Sequence, residues 1–512
     1  MPRTLLVFDS TDEQQSYDFF RSRSVGELTE LFHTDERFWH MSVLQLSMTQ
    51  PEVRYALTAL GALHRKYAEG DNTAIPEDTT DAQTRFALEQ CNRSIKSLLE
   101  RAGSEARYEK VSTLVACLLY TCVASIQGHQ TQSIMHFRNG LKLLDSLGHS
   151  SATVDSMSYW DTQFQSFVTT LSSLEVQARS LICEEDLPPW PTRIKIRSFP
   201  SSRTEIQFTS LSEARDFFES VLSDFQCFAI DRNAEDEWLL SPTTTPRRSS
   251  MDKYHLLVEK HASGVKALNA FITDHDDLKG RDEKMILMLR LHICITEMYL
   301  RVYPLSLKHG DSAYDHIDVY YLRMISLARQ ILGCSEENLA GMLASLDEVE
   351  DFSIDTTRDR IATTSKHSRV PLASSILKRE NNEQHRPVFT FSQGIVGPLS
   401  TTGIACRTPS IRKEAMALLL LYPRREGLWD SHTAGRCGWV AMQIEEELTR
   451  QYRRQQGQED FEIKTASDVP IECRVRGVDM KYIGPRSGEL RFNTMKKCED
   501  GEMLTIVMVL EW

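Results

Sequence analysis

Apolar side chains recur at helical spacing along most of this chain, and this periodicity limits the possible folds more than any other feature. Residues three or four apart lie on one side of an α-helix, so each apolar stripe predicts an amphipathic helix with one buried face. The sequence therefore predicts a mainly α fold. The clearest early stripes are Val53, Leu57, Leu60 and His64; Ala87, Cys91, Ile95 and Leu98; and Ile134, Phe137, Leu141 and Leu144.

The predicted helices have recognisable start and stop signals. Ser10 with Glu13, and Thr49 with Glu52, have the spacing of capping boxes, in which each side chain bonds a backbone amide of the other residue. Gly148 follows the third stripe, in the position where glycine commonly ends a helix. Further helices are expected at Asp155–Ile182, Glu213–Phe228, Tyr254–Phe271, Lys284–Val302, Val319–Leu332, Pro409–Leu421 and Asp430–Tyr452.

The last of these helices has two distinct faces. Glu446 and Arg450 are four residues apart and are expected to form an ion pair on the solvent side. The predicted buried face consists of Cys437, Val440, Ile444, Leu448 and Tyr452.

One stretch requires a membrane test, because no Asp, Glu, Lys or Arg occurs from Val111 to Phe137. Polar residues interrupt it, so its continuous apolar run is shorter than the roughly 20 residues that span a bilayer. We predict a buried core helix and no membrane association. Leu5 to Phe8 is too short for the apolar region of a secretory signal.

Three segments depart from the helical pattern. Residues 241–250 are polar and contain two prolines, as linkers do, and residues 347–386 lose the apolar period, as mobile segments do. The tail alternates apolar and polar residues between Gly and Pro turns, which predicts a small β-meander with strands near Ile471–Val478, Glu489–Phe492 and Leu504–Leu510. We expect an N-terminal helical part (1–232), a polar linker (233–252), a helical middle part (253–346), a mobile acidic and polar segment (347–388), a C-terminal helical pair (389–463) and a β-rich cap (464–512).

Charge and cysteine spacing argue against some functions. The formal net charge is −13, and such a chain repels the phosphate backbone unless basic side chains gather on one face, so direct DNA binding is not expected. No two of the 11 cysteines have C-x-x-C spacing, which argues against a zinc finger. Their scatter indicates reduced thiols inside the cell.

No motif for catalysis or cofactor binding is recognisable, including nucleophile elbows, phosphate loops, dinucleotide turns and helix-borne zinc pairs. His64 and His136 lie beside apolar stripes, where hydrogen-bonded core or boundary histidines are expected. Asp274, Asp276 and Asp277 fail the calcium-loop pattern and are expected to lie at a solvated helix end. We therefore predict no catalytic, cofactor-binding or metal-ligating residues, no cofactor, and a protein that is not an enzyme.

Two short segments suit regulation. Leu346–Asp355 interleaves acidic and apolar side chains as activation segments do, although a solvated linker is the simpler explanation. Arg247–Ser250 has the composition of a basophilic phosphorylation site or of part of a nuclear import signal.

An ordered set of segments resembles the regulatory (middle homology) domain of fungal zinc-binuclear-cluster (Zn2Cys6) transcription regulators. The resemblance spans about residues 10–150 and 385–512. The segments are Ser16–Phe20, Val53–Leu57, Leu60–His64, Ala116–Leu118, His136–Leu144, and a late run that contains Cys406, Arg407, Arg412, Ala415 and Pro423–Ser431.

The late run also has a physical interpretation of its own. Gly427 permits a tight turn, Trp429 provides a large buried anchor, and Asp430 caps the following helix. Arg424 and Arg425 are expected to bind carboxylates within the protein, and contact with a partner is the alternative.

The resemblance implies a nuclear regulator of transcription with a helical body, often acting on a metabolic or secondary-metabolite gene cluster. Members of this family normally begin with six cysteines that hold two zinc ions, and this sequence has no such cluster. Two explanations are open: a regulator that acts through partners, or a gene model that lost its first exon. The expected partners are other transcription proteins, a second copy of the chain or a DNA-binding protein, with a small-molecule effector as a further option.

Three hypotheses about function follow. The leading one is a binding and regulatory module in the nucleus, with the cytoplasm as the alternative location. The second is an enzyme of a biosynthetic pathway with a site built from dispersed residues, which a pocket of converging His, Asp or Glu side chains with shifted pKa values would favour. The third is a folded remnant without function.

Overall fold

The N-terminal part of the chain is a stack of helices. Two π-helical segments, Phe20–Ser24 and Phe38–Val43, follow α1 and precede α3. The helices are α1 (Thr11–Phe19), α2 (Val25–Leu28), α3 (Leu44–Thr49), α4 (Pro51–Ala68), α5 (Ala82–Glu100), α6 (Arg107–Gln127) and α7 (Gln130–Gly148). The computed structural model describes residues 8–32, 38–69, 80–101, 107–148, 171, 174, 175, 177, 178, 206–235, 248–347, 361–363, 386–458, 461–484, 487–498, 501 and 503–511.

Two of the three predicted stripes form buried faces. The stripe from Val53 to His64 on α4 is fully buried, and so is the stripe from Ile134 to Leu144 on α7. The prediction of a buried stripe on α5 is wrong at Ile95, whose side chain is 41% exposed. Helix α5 packs mainly on α4, and it does so through other residues.

One predicted capping box is confirmed in its Ser10 half only, because the Glu13 carboxylate bonds the amide of Asp9 and not that of Ser10, and the other is wrong. The Ser10 hydroxyl accepts the backbone N–H of Glu13 at 3.2 Å, and the Glu13 carboxylate accepts the N–H of Asp9 at 3.0 Å. Thr49 instead donates to the Leu46 carbonyl at the end of α3. Because Gln50 is the cap of α4 and Pro51 opens it, Thr49 is one residue too early to cap that helix.

The uncharged stretch is two helices, because Gly128 adopts a φ of +80° and separates α6 from α7. Within the described residues, Lys110–Gln127 is long and apolar enough to cross a membrane, but 78% of this window is buried inside the protein. This degree of burial is typical of a core helix, and a buried core helix is what the sequence predicts.

The middle of the chain is also helical and contains the predicted helices. The helices that end at Glu235 and begin at Arg248 extend into the predicted linker from its two sides. Residues 236–247, between them, lie outside the described residues. The predicted helix Asp155–Ile182 is described only at residues 171, 174, 175, 177 and 178, which are helical. The helices are α8 (Leu211–Glu235), α9 (Arg248–Thr273), α10 (Arg281–His309), α11 (Asp318–Leu332) and α12 (Glu336–Asp347).

The predicted mobile segment is only partly described. Ile361–Thr363 forms strand β1, so the prediction is wrong for these residues, which pair with Thr505–Val507. Leu346, at the start of the acidic–apolar segment, is 1% exposed in the core, and residues 348–355 lie outside the described residues. Arg247 also lies outside them.

The C-terminal part combines three helices with two sheets. The predicted meander is confirmed as the antiparallel strands β5–β6–β7, to which β1 adds in parallel. The second sheet has the order β2–β3–β4, with β2 parallel and β4 antiparallel to β3. The elements are β2 (Val388–Thr390), α13 (Val396–Ala405), α14 (Pro409–Leu421), β3 (Arg424–Glu426), β4 (Trp429–Asp430), α15 (Ser431–Gln455), β5 (Val475–Gly484), β6 (Ser487–Lys497) and β7 (Met503–Glu511).

The predicted faces of α15 are confirmed in part. Its apolar face is buried, with Tyr452 at the edge. The predicted ion pair between Glu446 and Arg450 is wrong, because Arg450 Nη1 lies 2.6 Å from the Glu447 carboxylate. A spacing of three residues on a helix brings the side chains as near as a spacing of four.

Buried apolar residues form two large cores, joined by the three-stranded sheet. The N-terminal core lies between α1 and α7 and includes Phe389 and Leu428 from the sheet region. The C-terminal core is built by α8–α15 and the meander, and Trp429 packs against it. The short sheet therefore contributes side chains to both cores.

A close approach of α4 to α1 at Gly61 provides a test of the packing. A Cβ added at Gly61 in α4 would lie 2.2 Å from the Ser16 carbonyl oxygen in α1. Gly61→Ala must push the helices apart, and we expect it to lower the free energy of unfolding by about 1–3 kcal/mol in urea titrations.

Gly26→Ala in α2 is the matched control, because no atom lies within 4 Å of its added Cβ. It should leave stability unchanged or raise it by about 0.5–1 kcal/mol, as alanine does in helices. Equal effects of the two substitutions would contradict the close contact between α1 and α4.

Candidate functional site

The late run forms a corner in which three consecutive charged residues are buried. Arg424, Arg425 and Glu426 make up β3 and are 4%, 4% and 1% exposed. Burying a charge is unfavourable unless it is paired, so each must find a partner inside the protein. Arg424 Nε lies 2.8 Å from Glu426 Oε1, and Arg425 Nε lies 3.3 Å from Asp430 Oδ2. The predicted binding of both arginines to carboxylates is confirmed.

Glu426 is held by backbone as well as by Arg424. Its carboxylate accepts the backbone N–H groups of Gly394, Ile395 and Val396 at 2.9–3.0 Å, at the N-terminus of α13. Free N–H groups at a helix N-terminus attract negative charge. Burial nevertheless raises the pKa of Glu426, and Arg424 and the three amides only partly oppose it. Three backbone N–H groups therefore donate to the two oxygens, and Arg424 adds an ion pair.

Asp430 has two roles at the corner. It accepts the N–H of Thr433 at 2.8 Å and so caps α15, as predicted. Burial acts to raise the pKa of Asp430, but the charge of Arg425 and the bonds from Thr433 hold it below its usual value.

The corner is tied directly to helices of the N-terminal half. The Arg425 guanidinium donates to the Ser125 carbonyl on α6, and the Ser125 hydroxyl donates to the Gly427 carbonyl at 2.6 Å. The Leu428 N–H donates to Gln177 Oε1 at 2.9 Å. Gly427 has a φ of +63°, and a Cβ there would lie 2.5 Å from Gln177. The turn therefore requires glycine on both grounds.

The sequence assigned the wrong residue as the buried anchor of this corner. Leu428 is 1% exposed, whereas Trp429 is only half-buried. Leu428 lies in the turn before β4 and enters the N-terminal core, whereas Trp429 packs against the C-terminal core.

A second buried ion-pair cluster joins the other residues of the late run. Arg407 and Arg412 both bind Glu445 of α15, which is 1% exposed. Glu445 also accepts the N–H of Val475 at 2.8 Å, which attaches the meander to the helices. Nearby, Arg474 binds Asp315 at 2.7 Å. Sequence reasoning missed Glu445, because one buried carboxylate on the flank of an apolar stripe has no periodic signal.

A cavity of about 120 Å³ adjoins the corner, and we call it the junction cavity. Helix α10 contributes His292, Ile295 and Tyr299, which share one face, and the remaining wall comes from α8, α13, Gln177, Glu426 and Trp429. Tyr299 and Thr401 join their hydroxyl groups at 3.2 Å across one side. The cavity therefore lies beside the sheet that joins the two cores.

The histidine of the junction cavity is buried and neutral. His292 is 4% exposed, and burial, followed by the nearby charge of Arg215, lowers its pKa to about 4. Its ring bonds the backbone of Gln393, and its Nε2 has no hydrogen-bond partner. By contrast, His64 is fully satisfied: its ring nitrogens lie 2.8 Å from Ser24 Oγ and from Glu27 Oε2, as expected of a core histidine.

The remaining candidates from the sequence lie away from the cavity. His136 is a half-buried boundary residue beside Tyr120, and Asp274, Asp276 and Asp277 are exposed after α9, as predicted. Among the described residues, no three His, Cys, Asp or Glu side chains converge as a metal site would require. The nine described cysteines are free thiols, and burial raises the pKa of those such as Cys406 and Cys437 to about 12.

Comparison with known proteins finds a family model that is similar to the N-terminal part of the chain. Residues 16–223 match the family model described as the fungal specific transcription factor domain. This part of the chain is similar to the fungal transcription factor domain. The match covers the N-terminal helices from α1 onward and ends within α8.

One curated relative is itself a transcription regulator. The chain is 23% identical over 505 residues to an aspercryptin biosynthesis cluster-specific transcription regulator of Emericella nidulans, covering 91% of this chain and 77% of the relative. The matched domain and this likeness support a role in transcription regulation. No solved structure matches the chain.

Removing the charge of Glu426 tests the corner. In Glu426→Gln, an –NH2 group replaces one acceptor oxygen and faces backbone N–H groups, and Arg424 loses its buried partner. We expect the free energy of unfolding to fall by about 3–5 kcal/mol, the usual effect of breaking a buried pair. Glu414→Gln is the control, because Glu414 is half-buried and 3.6 Å from Arg329. A loss below about 1 kcal/mol in Glu426→Gln would contradict the structural role.

The buried ion pairs of Glu445 lead to a prediction of how the free energy of unfolding depends on pH. Burial acts to raise the pKa of Glu445, but Arg412, Arg407 and the Val475 amide hold it below its usual value. As pH falls, the unfolded chain takes up this proton before the folded protein does, so stability from Glu445 is present above its usual pKa and lost below it.

We therefore expect Glu445→Gln to flatten the fall in unfolding free energy between about pH 5 and pH 3. Burial raises the pKa of Glu414, which gives the opposite sign, so Glu414→Gln should not flatten it. An unchanged slope in Glu445→Gln would show that Glu445 does not contribute to acid sensitivity.

Proposed function

We propose that the chain regulates transcription of a metabolic or secondary-metabolite gene cluster, in the nucleus, through contacts between its helical body and other transcription proteins. The observation that carries this proposal is the match of residues 16–223 to the fungal transcription factor domain. The relative's role in a biosynthesis cluster supports the type of target gene.

The buried charges of the late run favour a scaffold over a catalytic site. Arg407, Arg412, Arg424 and Arg425 are all committed to carboxylates inside the protein. None of these four guanidinium groups is on a surface that reaches DNA. With a net charge of −13, the chain is proposed to reach its target genes through a DNA-binding partner.

One observation could favour the enzyme hypothesis: His292 and Glu426 both line the junction cavity. Glu426 is held by three backbone amides and by the ion pair with Arg424, which favours a structural role over that of a base. Acid–base chemistry needs a residue that can exchange a proton with the substrate. A cavity with one neutral histidine supports ligand binding better than a reaction, and we propose that the protein is not an enzyme.

A tethering experiment tests the regulatory role. The full chain fused to an unrelated DNA-binding domain should change expression of a reporter at least about fivefold relative to that domain alone, an effect equivalent to roughly 1 kcal/mol in promoter occupancy. The physical reason is that tethering replaces the proposed DNA-binding partner, while the helical body supplies the contacts.

Paired variants provide the control for this experiment. The fusion with Glu414→Gln should keep the effect, and the fusion with Glu426→Gln should lose it together with the fold. A well-folded fusion that leaves the reporter unchanged would contradict regulation by the body. Sequence-selective, salt-sensitive binding of promoter DNA by the purified chain would instead contradict the need for a partner.

A further inference from the structure

We infer that strand β5 pairs with the β5 strand of a second copy of this chain, antiparallel and centred on Met480. The structure offers three features for this interface. Strand β5 is long and lies at the edge of its sheet, its charged residues complement themselves in one register, and the neighbouring registers place like charges opposite each other. This interaction surface is separate from the proposed regulatory function and does not depend on it.

The position of β5 in its sheet makes it a site for strand pairing. Among the strands that the structure describes, β5 has a neighbour on one side only, because the sheet order is β1–β7–β6–β5. It contains ten residues and no proline, whereas β1 at the other edge has three residues. Between Gly477 and Tyr482 its register with β6 is regular. A long, regular edge strand is a template for another strand.

Symmetry restricts how two copies of β5 can pair. When two identical edge strands pair antiparallel, the two-fold axis is perpendicular to the sheet, so the outer faces of both sheets point the same way. Because side chains alternate along a strand, outer-face residues must then lie opposite outer-face residues. Asp479 and Lys481 are both exposed and share the outer face of β5.

The charges of the outer face complement themselves when Met480 is the centre. Asp479 of each copy then lies opposite Lys481 of the other, and this charge pair occurs twice. Within one chain, Asp479 already lies opposite Arg491 of β6, and Lys481 lies opposite Glu489. Each row of charges would therefore continue to alternate in sign across the interface. Opposite charges directly across two strands stabilise their pairing.

The uncharged residues of β5 fit the same register. Gly477 lies opposite Ile483, whose side chain is 53% exposed, and no atom lies within 4 Å of a Cβ added at Gly477. The Ile483 side chain of one copy can therefore cover the open space at Gly477 of the other. On the inner face, Val478 lies opposite Tyr482, and each packs against an apolar core of its own chain.

The two neighbouring registers are unfavourable. Since outer-face residues must lie opposite each other, the axis passes between two residues of the same number. A centre at residue 479 places Asp479 opposite its own copy, and a centre at residue 481 does the same for Lys481. Like charges directly opposite each other destabilise a strand pair. The centre at Met480 avoids both repulsions.

Sedimentation equilibrium of the purified full chain tests the interface. With rising protein concentration we expect the mass to change from that of one chain to that of two. Asp479→Lys makes both charges of each pair positive, and Lys481→Asp makes both negative. Each variant alone should therefore dimerise at least about tenfold more weakly than the unmodified chain.

An equimolar mixture of the two variants separates the interface from the fold. One chain then presents only positive charges at residues 479 and 481, and the other presents only negative charges. The mixed dimer regains opposite charges in both pairs, so it should form about as tightly as the unmodified dimer. Variants that had lost their fold would not recover in the mixture.

Glu336→Lys is the matched control for the charge change. It alters the net charge by the same amount as Asp479→Lys, and Glu336 is an exposed residue at the start of α12, outside β5. Dimerisation of this variant should be unchanged. A loss of the dimer in Glu336→Lys as large as in Asp479→Lys would show that net charge, and not the β5 register, controls association.

Hydrogen exchange on the unmodified chain provides a second readout. Amides of β5 should exchange more slowly at concentrations where the dimer forms, whereas amides of β6, which already lies between two strands, should not change. A chain that stays monomeric, a mixture that does not recover dimerisation, or β5 exchange that is independent of concentration would each overturn the inference. The tethered reporter tests the regulatory function by a separate readout, so the two failures are distinguishable.

Discussion

The structure depends on the carboxylate of Glu426, which is buried between the two cores. Three amides at the start of α13 and the guanidinium of Arg424 surround it. Burying a carboxylate is unfavourable, and this cost is offset only when the donors hold their positions. The N-terminus of α13, strand β3 and the ion pair are therefore fixed relative to one another, and a change in any of them leaves a charge unsatisfied.

The same corner explains how one regulatory body forms from two apolar cores. The fungal transcription factor domain match ends within α8, at the beginning of the C-terminal core, so the matched region is not structurally independent of the rest. Arg425 and Gly427 bond Ser125 on α6, and Leu428 enters the N-terminal core.

Sequence patterns predicted the helices well because amphipathic periodicity is a local signal. The limits of α14, the meander and the cap at Asp430 all follow from residues within one or two turns. The sequence also predicted that Arg424 and Arg425 bind carboxylates. It could not name Glu426 as the acceptor of amides some 30 residues earlier in the chain, because those contacts exist only after folding. Nor could it find the junction cavity, since His292 on an apolar helix has the same pattern as a satisfied core histidine.

Hydrogen exchange on the intact protein tests the central claim, that the buried corner makes the two cores one cooperative unit. Amides of α6 represent the N-terminal core, and amides of α14 represent the C-terminal core. If the corner joins the cores, the slowest amides of both helices should exchange with the same free energy of opening and the same denaturant dependence. Clearly different opening energies, with one core exchanging while the other stays protected, would contradict the account.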